Sequence, residues 1–203
     1  MFSPRSGNSP VRGHNNPPLI AASVLDGSWS VLFDQKRGGP GLVMFGSLVD
    51  WTSRPEHGIC YYSGIATYST SFELPGNPKL RRWIDLGTVY NMARVRVNGR
   101  DLGVVWCPPW RVEITTAVQG GVNKIEIDVA NLWPNRLIGD ELQPPDAEYG
   151  KNGGLLRWPG WLLKNEPRPS TERRAFATWK HFTKDTPLLP SGLLGPVRVM
   201  REE

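Results

Sequence analysis

The sequence has little that would mark a membrane protein, a metalloprotein or a self-sufficient catalyst. No run of apolar residues approaches the roughly 18 that a spanning helix needs. The short apolar stretch at residues 18–25 lacks the length and the nearby basic start of a secretory leader. The chain is therefore expected to be soluble, with no membrane partner and with its compartment undecided. Only two cysteines, Cys60 and Cys107, occur, enough for one disulfide and too few for a disulfide framework or a cysteine zinc site. Both are expected to be free and buried. The histidines, His14, His57 and His181, lie far apart and in no metal-ligand spacing, and no cofactor is expected. Gly-x-Ser-x-Gly, a phosphate-binding glycine loop and His-Glu-x-x-His are all missing. A dense basic stripe is missing too: the 24 basic against 19 acidic residues leave a net charge of +5, scattered one or two residues at a time. Nucleic acid is consequently not the expected partner.

Of the 203 residues, 22 are glycine, 19 proline and 9 tryptophan, a composition that favours turns and short strands over long helices. Residues 1–23 are rich in proline and glycine and contain no acid, so they read as a disordered tail or linker, with one domain over 24–203. Within that domain the period is two. Trp29, Val31 and Phe33 alternate with polar positions, as do Ala93, Val95 and Val97 with Arg94 and Arg96, and Ile125, Ile127 and Val129 with Glu126 and Asp128. Further strands are predicted at 60–74, 82–86, 111–114 and 196–200, with Pro75-Gly76-Asn77-Pro78 as a turn. Asn98-Gly99 lies between two extended segments and predicts a tight hairpin joining 93–97 to 102–105. The fold class that follows is all-β, a jelly-roll β-sandwich with long Pro/Gly-rich loops, the longest over 132–194.

The chemistry legible in the loops is aromatic. Trp106 and Trp110 bracket Cys107-Pro108-Pro109, Trp133 precedes Pro134-Asn135-Arg136, and Trp158 and Trp161 flank Pro159-Gly160. Flat rings beside amide, carboxylate and guanidinium groups suit saccharides, whose CH faces stack and whose hydroxyls pair. The candidate sugar-facing set is Trp106, Trp110, Trp133, Asn135, Arg136 and Asp140. Trp29 and Trp83, in alternating strands, are expected to be core. Asp140-Glu141 is the notable acid pair of the loop region, and neighbouring residues of an extended chain point apart, so it makes no dyad for glycoside hydrolysis by spacing. A contact from Arg136 to Asp140 or Glu141 that shapes the loop is the competing role.

Several motifs together carry a resemblance: GICYYSG at 58–64, Asp85-Leu86-Gly87, Val97-Asn98-Gly99, NLWPNRLIGD at 131–140 and SGLLGPV at 191–197. Over residues 26–199 the chain resembles the C-terminal, galactose-binding-domain-like β-sandwich of family 106 glycoside hydrolases, the α-L-rhamnosidases. More distantly it is similar to the sugar-binding domain of family 2 glycosidases. In that family the chemistry resides in a separate (β/α) barrel, which carries a calcium ion in studied members, and a barrel of about 250 residues exceeds this chain. The resemblance thus implies a non-catalytic carbohydrate-binding or accessory module. Its partners would be a glycan and a catalytic barrel, and its setting extracytoplasmic. The alternatives are a fragment of an α-L-rhamnosidase, with Asp140, Glu141, Glu148 or Glu166 as its acids, and a purely structural domain-contact module.

Overall fold

The computed structural model describes residues 18–75, 80–169 and 172–203. In chain order the strands and helices are β1 (Leu19–Val24), β2 (Trp29–Phe33), β3 (Leu42–Phe45), α1 (His57–Cys60), β4 (Ile65–Leu74), β5 (Arg82–Asp85), β6 (Thr88–Tyr90), β7 (Met92–Val97) and β8 (Arg100–Val105). There follow β9 (Arg111–Glu113), β10 (Gly121–Ala130), α2 (Pro134–Asp140), α3 (Gly160–Leu163), β11 (Gly192–Gly195) and β12 (Arg198–Glu202). A six-stranded antiparallel sheet runs β3-β2-β4-β10-β7-β8, and a four-stranded one runs β1-β12-β5-β9. A short β11-β6 pair accompanies them. The all-β sandwich expected from the alternation is what forms.

Alternation decides the core. Trp29, Val31 and Phe33 of β2, Tyr68 of β4, Val95 of β7 and Ile125, Ile127 and Val129 of β10 are buried beneath the large sheet. They meet Ile84 of β5 and Val199 of β12 from the smaller one in a single apolar cluster. Removing each such side chain from water contributes about 1.5–3 kcal/mol, which makes this layer the main stabilising term. The opposite face of the large sheet stays wet. There Arg96 forks onto Asp128 at 2.5 and 2.8 Å, Asp128 also accepts from Thr67 Oγ1, and Arg94 pairs with Asp101.

The hairpin forms at the expected residues. Val97 pairs with Arg100, and Asn98 (φ 51°) and Gly99 (φ 78°) occupy the left-handed region that a two-residue turn requires. Asn98 also accepts from Lys124 N–H and donates to Ala117 C=O and Asn123 Oδ1, tying the turn to β10.

Four expectations are corrected. Trp83 is not core: with Ile84 and Leu86 fully buried, the period of two turns Trp83 outward, where the Arg81 guanidinium lies 4.9 Å from its ring centre. Residues 60–64 are not strand, because α1 and a turn precede β4, which begins at Ile65. Both thiols are free, but Cys107 is exposed at a loop tip and only Cys60, which donates to Thr52 C=O at 3.4 Å, is partly buried. Residues 19–23, assigned with the tail by composition, join Val24 in β1 on the edge of the smaller sheet against β12. Residues 1–17 of the tail, and Gly76, Asn77 and Pro78 of the composition-predicted turn, lie outside the described residues.

One buried polar network joins the layers. Tyr68 Oη accepts from Trp51 Nε1–H at 2.5 Å and from Leu193 N–H at 3.3 Å. Burial pushes the Tyr68 phenol up to about 12, the hydrogen bonds to its oxygen opposing only part of that rise. An unfolded tyrosine ionises near 10. The phenol's contribution is therefore complete below about pH 10 and is lost as pH rises through about 12, a swing of roughly 2–3 kcal/mol. Chemical denaturation from pH 9 to 12 is expected to show this loss, and Tyr68→Phe is expected to flatten the slope by that amount.

Candidate functional site

Strand register brings many of the loops that the sequence singles out to one end of the large sheet. Phe33 of β2 pairs with Ala66 of β4, Ile65 with Ala130 of β10, Ala130 with Met92 of β7, and Ala93 with Val105 of β8. The segments after β2, β8 and β10 and before β4 and β7 therefore emerge together. Trp106 follows β8 and Trp133 follows β10 at this end, and those two strands are separated in the sheet by β7.

At this end a groove of about 360 Å³ lies between Asp34, Arg37, Ser63, Gly64, Ile65, Ala130, Asn131 and Trp133. The segments that line it are fixed by hydrogen bonds between side chains and backbone. Tyr62 Oη accepts from Asp34 N–H and donates to Ile65 C=O, Gly64 N–H donates to Asn131 Oδ1, and Ser63 Oγ donates to Leu132 C=O. Trp133 forms one wall with half of its surface in solvent, and Asp34 and Arg37, 3.7 Å apart and half-exposed, form the polar rim. An exposed ring beside a carboxylate and a guanidinium can take the apolar face of a hydroxylated ligand while pairing its hydroxyls. Trp106 is 71% exposed but stands outside the groove, and Trp110 is half-buried against the core.

The other sequence candidates do different work. Asn131-to-Asp140 contains a helix where a loop is expected, because Pro134, whose fixed φ suits a first helical position, starts α2. Asn135 is buried; it donates to Leu189 C=O at 2.7 Å and Ser191 Oγ at 3.0 Å and accepts from Leu189 N–H at 2.8 Å. Asp140 Oδ2 accepts from Arg174 and Ala175 N–H at 2.9 and 2.7 Å, and its Oδ1 lies 3.2 Å from Arg136 Nε. Burial lowers the Arg136 guanidinium's affinity for its proton, and Asp140 opposes that. Gly139 fits because a β-carbon there would lie 2.6 Å from Tyr61 Cβ. Asn135 and Asp140 are thus spent on holding chain segments together and Arg136 on its ion pair with Asp140 in the same helix, and none of them lines the groove.

Beside Asp140, Glu141 pairs with Arg173 at 3.3 Å and Lys180 at 2.6 Å, while Glu148 is occupied by Arg157. Among the described residues no group of three or more His, Cys, Asp or Glu could hold a metal ion, and no helix is long and apolar enough to cross a membrane. The groove residues Asp34 and Arg37 gave no signal in the sequence, and Ser63-Gly64 stood out only as the end of the GICYYSG motif, since only pairing of β2, β4 and β10 brings them to Trp133.

No protein-family model matches the chain. It is 44% identical over 181 residues to a Formosa agariphila protein provisionally named a beta-glucuronidase, a match covering 87% of this chain and 15% of that protein. A rhamnosidase from Novosphingobium sp. PP1Y superposes with a TM-score of 0.75 at 35% identity over 92% of this chain and 16% of its own. A Ruminococcus gnavus beta-glucuronidase shares the fold at 19% identity, with a TM-score of 0.55, over 96% of this chain and 30% of its own. The chain therefore spans less than a third of each of these glycosidases.

Asp140→Ala would leave the buried Arg136 without its counter-charge and the Arg174 and Ala175 amides without their acceptor. The expected loss of stability is roughly 3–5 kcal/mol, measured by urea denaturation. Limited proteolysis is expected to cut first in 172–190.

Proposed function

We propose that this chain is a non-catalytic accessory β-sandwich of a glycoside hydrolase, related to the C-terminal sandwich of the α-L-rhamnosidases, and that its sheet end contacts a saccharide. The observation carrying this reading is that identities of 44% and 35% fall on only 15% and 16% of two much longer glycosidases. A part of that size can serve the reaction without performing it. Asp140 and Glu141 support the same reading: one carboxylate is engaged by backbone amides and the other by two cations, so neither has the freedom of a general acid or nucleophile.

The sugar-facing element is the Trp133 groove. Its ring removes an apolar sugar face from water at roughly 25 cal/mol per Å², whereas each hydroxyl exchanged between water and Asp34 or Arg37 nets little. An open groove desolvates little of a hydrophilic ligand, which sets the affinity in the high micromolar to millimolar range, about −4 to −6 kcal/mol. The catalytic barrel would be the chain's other partner. A second reading, domain contact alone, draws on Ile65, Met92 and Trp106, which are 57%, 47% and 71% exposed along the same end.

Calorimetric or NMR titration with rhamnose-containing and pectin-like glycans is expected to show weak binding that Trp133→Ala abolishes without lowering the melting temperature. Aryl α-L-rhamnosides are expected not to be turned over. Turnover lost in Asp140→Asn or Glu141→Gln would overturn the non-catalytic assignment, and binding by no glycan would leave the domain-contact reading.

A further inference from the structure

The third tryptophan cluster, Trp158 and Trp161, lies in the loop layer between α2 and β11. There the chain segments 145–148 and 157–161 form the two walls of an open groove of about 610 Å³. That volume falls within the range of small-molecule sites. The Trp158 ring is 52% exposed and is backed by Phe176, with ring centres 6.2 Å apart. Phe176 also receives Trp161 edge to face, at 5.9 Å and 86°. Trp161 is held by the Arg168 guanidinium, 5.5 Å from its ring centre. Arg168 is itself fixed by Asp146 and by the carbonyls of Arg173 and Ala175 at 3.1 and 2.8 Å. The aromatic floor is thus braced from behind, and Pro145 and Pro159 stiffen its walls, so little order has to be imposed when a ligand arrives.

The polar complement sits beside the rings. Arg157 and Glu148, both largely exposed, meet at 2.5 Å through one nitrogen and one carboxylate oxygen. A guanidinium has five donors and a carboxylate two acceptor oxygens, so this pair offers further donors and a further acceptor side by side. Adjacent donor and acceptor groups match two neighbouring hydroxyls, and the opposed charges of the pair favour a neutral ligand over an ionic one.

We infer that the Trp158–Trp161 groove is a second saccharide site, for a neutral pyranose with vicinal hydroxyls. Its ring stacks on Trp158 while the hydroxyl pair bridges Glu148 and Arg157. The choice of a saccharide among hydroxylated ligands rests on the glycosidase reading above. The site itself shares no residue with the Trp133 groove, so each can fail alone.

The test is an NMR titration of the full chain with methyl α-L-rhamnoside and methyl β-D-galactoside, following the indole N–H signals of Trp133, Trp158 and Trp161. The Trp158 and Trp161 signals are expected to shift together with one saturating dissociation constant that Trp133→Ala leaves unchanged. Glu148→Gln and Arg157→Gln, both at exposed positions, are expected to weaken it roughly three- to tenfold, and Trp158→Ala to abolish the Trp161 shift. Should Trp158→Ala unfold, the two exposed variants decide, and affinity unchanged in both overturns the site. Shifts at Trp133 alone overturn the second site and leave the accessory reading intact. Shifts at none of the three overturn both sugar sites.

Discussion

The position of the loop layer depends on side-chain amide and carboxylate groups that stand in for backbone pairing. Asn131, Asn135 and Asp140, all from one ten-residue stretch, bind main-chain groups at 62–64, 189 and 174–175. No sheet ladder could reach all three places from the end of β10. Burial makes the Asn135 and Asp140 contacts obligatory, since an unpaired amide or carboxylate inside the protein costs more than the pair itself contributes. Trp133 holds its place at the sheet end because the residues on either side of it are anchored in this way.

The sandwich beneath is simpler. Apolar residues at alternate positions fill the space between two sheets, and the outer face of the large sheet carries crossed ion pairs such as Arg96 with Asp128. The charged pairs occupy the β10-β7-β8 half of that face, whereas its β2-β3 edge exposes Leu32, Leu42 and Met44. The unpaired rings are instead at the sheet end and in the loop layer, where the chain meets solvent without a ladder to satisfy.

Legibility in the sequence followed the range of the interactions. Strands set by strict alternation and the turn set by Asn98-Gly99 were readable because their cause lies within a few residues. Trp83 was misread because its neighbours Ile84 and Leu86, not its own hydrophobicity, decide which face it takes. The helix in NLWPNRLIGD was missed because Pro134 can end a strand or begin a helix, and the choice is made by partners 54 residues away at Leu189. The same holds for the candidate sites. Exposed rings could be suspected from loop composition, but the burial of Asn135, Arg136 and Asp140 and the recruitment of Asp34 and Arg37 depend on contacts that only the folded chain makes.

The anchoring of the loop layer has an evolutionary corollary. Asp140 closes the segment that returns at Arg174, and Asn135 closes the longer one that returns at Leu189, so the interior of each is bounded by fixed points. Doubling the length of such a closed segment raises its ordering cost by only about 0.6 kcal/mol. Residues between the anchors can therefore be exchanged, lengthened or shortened without disturbing the sheets. For the stretch carrying Trp158 and Trp161 this means that a change of length is absorbed within its own closed segment and not by the sheets beneath it.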